Sequence, residues 1–239
     1  MITGNRLSVL LATALALLQP SCSSDSAPTE AEELPLGVLR FLNATSDRAV
    51  LRVSVGPGAP RQEEVAPGTW QQFEVPDQTP VGPNRIIWGP VSGGPASYLE
   101  LTVRRGDSVL FVGFGTATAL EGGLTPDTAA PPRADRGNVR IVLLALDRPL
   151  VRVHLLPATE PFSASNEVFA AATPYALPLV TSWLPVDAGS WRVHFVRHAP
   201  GGSETLLASS EPFDTSAGDE VIVALQSDGA GYRADVIRE

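Results

Sequence analysis

From Gly189 to Arg197 the chain reads Gly-Ser-Trp-Arg-Val-His-Phe-Val-Arg, with Trp191, Val193 and Phe195 on one side and Arg192 and His194 on the other. That period of two belongs to a strand with one buried face. A turn at Asp187-Ala188-Gly189 feeds it. Similar short runs recur along the chain. With 22 Pro and 21 Gly among 239 residues, turn signals interrupt them often and disfavour long helices. Strands are expected at 38–43, 49–55, 70–75, 84–88, 98–104 and 108–114. A second set is expected at 138–145, 149–156, 166–170, 179–184, 190–197, 204–210, 219–226 and 231–237.

The two sets echo each other. Gly37, Arg40, Asp47-Arg48 and Arg52-Val53 recur as Gly137, Arg140, Asp147-Arg148 and Arg152-Val153, at an offset of 100 (140 minus 40). Leu101 to Val109 aligns with Phe213 to Val221 at an offset of 112 (218 minus 106), matching Gly106-Asp107 to Gly218-Asp219. Two blocks in the same order indicate a tandem duplication, with extra residues in the middle of the second copy. The fold class expected is all-β: two tandem antiparallel β-sandwiches, immunoglobulin- or transthyretin-like, behind a signal peptide and a flexible tether. The boundaries expected are 1–21 for the signal peptide, 22–34 for a lipidated cysteine and tether, 35–115 and 137–239 for the sandwiches, and 116–136 for a linker rich in Pro, Ala and Thr.

Alternation nominates a core for each copy. In the first it is Leu39, Phe41, Leu51, Val53, Val55, Phe73, Ile87, Leu99, Leu101, Val109 and Phe111. In the second it is Val139, Ile141, Val151, Val153, Leu155, Trp191, Val193, Phe195, Val221, Val223 and Val236. The matched arginines Arg40/Arg140 and Arg52/Arg152 then face outward into solvent. The turns are expected at Asp47-Arg48, Asp147-Arg148, Gly106-Asp107 and Gly218-Asp219.

The first residues are not part of the fold. Arg6 precedes an apolar run from Leu7 to Leu18, too short to span a membrane stably and suited to a secretory signal. Cys22, the single cysteine, follows it directly. This resembles the bacterial lipoprotein signal, which implies lipidation of Cys22, a membrane-anchored product and, from the serines that follow, outer-membrane sorting. Cleavage after Ser23 is the other reading, with Gln19 where the lipoprotein pattern prefers an aliphatic residue. Ser23 to Leu34 has no apolar period and reads as a tether. A single cysteine leaves no partner for a disulfide within the chain.

Residues 137–235 resemble a bacterial envelope domain of unknown function, found singly or in tandem in secreted proteins and lipoproteins. The features are Val139-Arg-Ile141, Asp147, Val151-Arg-Val153, Phe169-Ala-Ala-Ala-Thr-Pro-Tyr175-Ala-Leu-Pro178, Asp187-Ala-Gly189 and Trp191-Arg-Val193. At the front, Leu144-Ala-Leu-Asp147-Arg-Pro149 replaces the usual His-Ala-Ser-Pro-Asp-Ala-Pro. The first copy keeps Asn43-Ala-Thr-Ser-Asp47. It is also similar, through Val38 to Ala44, Val53 to Gly56 and Val65-Ala-Pro67, to the accessory protein of alginate O-acetylation. Neither resemblance implies a catalytic residue.

The chain's chemistry is sparse. All 17 basic residues are arginine and the net charge is −9, with no basic stripe for a nucleic acid. His194 and His198 stand about 13 Å apart on an extended strand, and His154 joins them only if its strand is adjacent. No metal site, cofactor site or catalytic set is expected. No Gly-x-Ser-x-Gly, dinucleotide or phosphate-loop pattern occurs. Trp70, Trp88, Trp183 and Tyr175 are the candidates for ligand binding. The function expected is a non-catalytic cell-envelope lipoprotein that scaffolds or contacts an envelope protein. The alternative is a polysaccharide-binding accessory protein. A row of exposed Trp or Tyr on one sheet face favours the polysaccharide; an apolar patch or bare edge strand favours the protein partner.

Overall fold

A computed structural model describes residues 35–57, 61–75, 84–128, 135–145, 150–172, 178–199, 201–227 and 231–238. These residues form strands and turns, as the alternation and the frequent Gly and Pro require. The first half holds β1 (Gly37–Thr45), β2 (Leu51–Val55), β3 (Arg61–Val65), β4 (Trp70–Val75), β5 (Asn84–Pro90), β6 (Ser97–Leu101), β7 (Ser108–Thr116) and β8 (Ala119–Pro126). The second holds β9 (Arg136–Leu144), β10 (Val151–Pro157), β11 (Ala170–Ala172), β12 (Leu179–Val180), β13 (Leu184–Asp187), β14 (Gly189–His198), β15 (Glu204–Ser209), β16 (Phe213–Thr215), β17 (Glu220–Ser227) and β18 (Tyr232–Arg238).

Each half is a sandwich of two sheets. The first has the orders β4-β1-β7-β8 and β3-β2-β5-β6. The second has β12-β9-β17-β18, with β13 also on β9, and β11-β10-β14-β15, with β16 also on β14. The strand orders correspond one for one, β1 with β9, β2 with β10, β7 with β17. One pair in each half is parallel, β1 with β7 and β9 with β17. Alternation reports which face is buried and carries no information on strand direction, so the expected antiparallel sandwich is a mixed one.

The residues repeated between the halves do the same local work. Val38 N donates to Asp107 O and Asn138 N to Asp219 O, both at 2.8 Å. The carboxylates of Asp107 and Asp219 accept from Arg104 N and Ser216 N, closing each turn before β7 and β17. Gly106 and Gly218 take φ of 81° and 84° there, a region that favours glycine. Gly37 and Gly137 pass close beneath the same turns. A Cβ would lie 2.6 Å from Arg104 O at the first and 2.9 Å from Ser216 O at the second. The Asp47-Arg48 tip bends at Arg48, φ 56°; Asp147-Arg148 lie outside the described residues.

Three apolar clusters form. The first fills the first sandwich and includes Leu39, Phe41, Leu51, Val53, Phe73, Ile86, Trp88 and Phe111. The second fills the other sandwich around Val139, Ile141, Val151, Val153, Val193, Phe195, Val221 and Val223. The expected core is correct at these positions with two exceptions. Ile87 and Leu99 are 39% and 37% exposed, and Ile86 and Trp88 take the interior instead. Three consecutive apolar residues, Ile86-Ile87-Trp88, leave the period of two ambiguous by one place.

The third cluster lies between the halves. It takes Leu42 and Ala44 from β1, Leu110, Val112 and Phe114 from β7, Val142 and Leu144 from β9, Ile222 and Ala224 from β17, with Trp183 and Ile237. Leu42 and Ala44 stand where Val142 and Leu144 stand at the offset of 100. The central strands are therefore buried on both faces, which explains their unbroken apolar runs, such as Val109 to Val112 and Ile141 to Leu144. Residues 34–239 form one compact unit of four layers. The expected linker at 116–136 is partly structured. Residues 119–126 are β8, paired along its length with β7.

Candidate functional site

The polar groups that stand out cluster at one end of the interface between the halves. Arg40 on β1 and Arg140 on β9 point toward each other, because the strand faces that carry them are the packed faces. Asp127, just after β8, lies between them. Arg40 Nε donates to Asp127 Oδ2 and Arg140 Nη1 to Asp127 Oδ1, both at 2.6 Å. Arg140 is 1% exposed, a correction to the expectation that it faces solvent. Arg140 Nη2 also donates to Thr128 O at 3.0 Å, and Arg40 lies 3.5 Å from Glu220. A buried charge persists only when paired and hydrogen-bonded, and each of these is. Alternation shows that two residues share a face. It does not show that a second sheet covers that face.

Two nominated tryptophans belong to this cluster. Arg40 lies over the Trp70 ring at 5.1 Å and Arg140 over the Trp183 ring at 4.3 Å. Trp183 Nε1 donates to Thr128 O at 2.8 Å. Both rings thus serve as cation–π platforms inside the molecule. The crevice between Arg40, Trp70, Trp183 and Glu220 has a volume of about 10 Å³, about one water's worth of space. A sugar ring does not fit there. Trp88 is 3% exposed and sits edge-on to Phe111 at 4.7 Å, inside the first sandwich. Tyr175 and Cys22 lie outside the described residues. Among the described residues, the three nominated tryptophans form no exposed row.

At the other end of the interface Arg233 Nη1 donates to Ser46 O at 3.0 Å, joining β18 to the β1–β2 turn. Arg233 is also paired with Asp235 at 2.8 Å. The groove there, lined by Thr45, Arg48, Pro67, Gly68, Gln226, Arg233, Asp235 and Val236, has a volume of about 220 Å³.

The histidines lie on the outer face of the second sandwich. His154 and His194 are directly opposite on β10 and β14. Burial first, then the charge of Arg192 and the neighbouring His154, hold His194 below the ordinary imidazole value. His198 sits further along β14, 3.5 Å from Glu204, which also takes Arg152 at 2.6 Å. Among the described residues no three His, Cys, Asp or Glu side chains gather as a ligand set.

The outer face of the first sandwich is different. Tyr98, 67% exposed, is the one largely exposed aromatic among the described residues. It stands opposite Ile87 across β5 and β6, and Arg85 lies 5.8 Å from its ring. The pair Arg85–Glu100, at 3.2 Å, lies beside it, and Arg52–Glu64, also at 3.2 Å, lies further across the same sheet on β2 and β3. Among the described residues β6 pairs only with β5, so its other edge is open. Sequence reasoning passed over Tyr98 because a lone tyrosine beside Leu99 and Leu101 reads as an ordinary strand residue.

No family model matches the sequence, and no curated protein matches it. Among solved structures, the chain is similar to a family CBM26 module of Amy13K from Eubacterium rectale, solved in complex with maltoheptaose. The match is 10% identical, covers 85% of this chain and 96% of that one, and has a TM-score of 0.27.

Proposed function

We propose that this chain is a non-catalytic interaction module of the bacterial cell envelope, held at the outer membrane by lipid on Cys22 and the polar segment that follows it. The observation that carries the contact role is the exposed apolar pair of Tyr98 and Ile87, opposite each other on the outer face of a sheet whose β6 edge is open among the described residues. An edge strand with exposed apolar side chains offers both backbone hydrogen bonds and burial to a partner strand. The partner is an envelope protein. The charge pairs around the patch supply its polar rim. The internal use of Trp70, Trp88 and Trp183 supports this reading over a sugar platform, since among the described residues it leaves Tyr98 without an exposed aromatic neighbour.

A polysaccharide ligand is the second reading, favoured by one feature, the exposed Tyr98 ring flanked by Arg85 and Glu100. A ring face with hydrogen-bonding groups beside it suits a pyranose. Affinity capture from envelope extract and glycan binding, run on the wild type and on Tyr98→Ala, separate the two. The protein-contact reading expects one captured partner, lost or weakened at least tenfold by the substitution, with no glycan retained. Capture unaffected by Tyr98→Ala rejects it. For the anchor, the mature protein is expected to carry the mass of acyl chains and to enter a detergent phase; a hydrophilic product cut after Ser23 rejects it.

A further inference from the structure

The second half carries a loop that the first lacks. Residues 158–169 join β10 to β11, where residues 56–60 join β2 to β3. The loop lies across the outer face of β10 and β14 and covers His154 and His194, 0% and 4% exposed. Phe162 sets its ring against both imidazoles, with centroids 5.3 Å from His154 and 5.4 Å from His194. His154 Nδ1 lies 3.0 Å from Glu167 O, and His194 Nδ1 lies 2.8 Å from Ser209 Oγ. A carbonyl only accepts, so this geometry makes His154 Nδ1 the donor. Both Nε2 atoms are buried without a hydrogen-bond partner among the described residues.

The loop is tied down at its ends. Ala158 N donates to Ser190 O at 2.9 Å and Phe169 N to Val153 O at 2.8 Å. Its middle bonds mostly to itself: Asn166 N to Ser163 O at 3.0 Å and Asn166 Nδ2 to Glu160 Oε1 at 2.9 Å. What joins that middle to the sheet is the Phe162 ring and the Glu167 carbonyl, both resting on the histidine pair.

The charges around His194 favour its neutral form. Arg192 and His198 lie on β14, Arg152 on β10, Glu204 on β15, and Glu160 and Glu167 on the loop. Glu204 is taken by Arg152, and Glu160 by Asn166. No carboxylate contacts either imidazole among the described residues. A proton on His194 therefore adds a cation beside Arg192 and away from water.

We propose that residues 158–169 are an acid-opened lid, which protonation of His194 releases by lifting Phe162 from the His154–His194 pair. The closed lid holds His194 below its ordinary value of 6.5, and the open lid lets it take up the proton. Opening is thus linked to one proton, and the open-to-closed ratio rises by up to about tenfold per pH unit below that value.

Amide hydrogen exchange on the full chain at pH 7.5 and 5.0, corrected for intrinsic exchange rates, tests this. Protection of residues 159–168 is expected to fall at the lower pH, by at most about tenfold per pH unit below 6.5, while β1 and β7 amides keep theirs. His194→Gln is expected to abolish the difference. Phe162→Ala, in a surface loop, is expected to open the lid at both pH values. Equal loop protection at both pH values in the wild type overturns the proposal, as does a pH difference that survives His194→Gln.

Discussion

Asp127 takes two guanidinium groups at once, one from each half of the molecule, and is itself almost fully buried. Removing it strands Arg140 in a site sealed from water. Asp127→Ala is expected to cost about 3–5 kcal/mol in urea unfolding, because an uncompensated buried charge is left. Replacing the pair together, Asp127→Leu with Arg140→Met, is expected to cost clearly less, since the charge that needs a partner is then gone. His194 carries a second prediction at this scale. Its folded-state value is lowered from 6.5, so its contribution to stability is fully present above that pH and is lost as pH falls below it. Part of the fall in melting temperature between pH 7.5 and 5.0 should vanish in His194→Gln. An unchanged slope refutes the assignment. The repeated arginines were visible in the sequence as a pair with a fixed offset. Their meeting across Asp127 was not, because a strand pattern is silent about what lies against its second face.

Among the elements, β5 shows what alternation can and cannot decide. Its run Asn84-Arg-Ile-Ile-Trp-Gly-Pro90 holds three apolar residues in a row, so two registers satisfy the pattern. The structure selects the one that buries Trp88 against Phe111 and leaves Ile87 outside. Trp88→Ala is expected to destabilise by about 3–5 kcal/mol, and Ile87→Thr by about 0.5 kcal/mol or less, both measured by denaturant unfolding. Equal costs would mean the register is wrong. β8 was missed for a different reason. Its sequence, Ala-Leu-Glu-Gly-Gly-Leu-Thr-Pro, has two adjacent glycines and a proline, poor strand residues on any scale. Pairing with β7 along its whole length overrides that preference. Most other strands lie within a few residues of the expected positions, because Val, Ile and Phe alternate there with little ambiguity. The bonded turns at Asp107 and Asp219 fall where the Gly-Asp pairs indicated.

The whole molecule is two sandwiches joined through a third apolar layer, with the Arg40–Asp127–Arg140 cluster at one end of that layer and the Arg233–Ser46 bond at the other. Such an interface couples the halves energetically. Unfolding followed by tryptophan fluorescence and by circular dichroism is expected to give one coincident transition, and Val142→Asp is expected to lower its midpoint for both probes. Two separated transitions, with only one moved by the substitution, would show halves that fold independently. The all-β class and the two-half plan were decided by the sequence alone, since a period of two and closely spaced turn residues leave a chain few other ways to bury its apolar side chains. Strand direction, the register of β5, the burial of Arg140 and the meeting of His154 with His194 were decided only by tertiary structure. Each depends on which surfaces come together across long stretches of chain, and local periodicity holds no record of that.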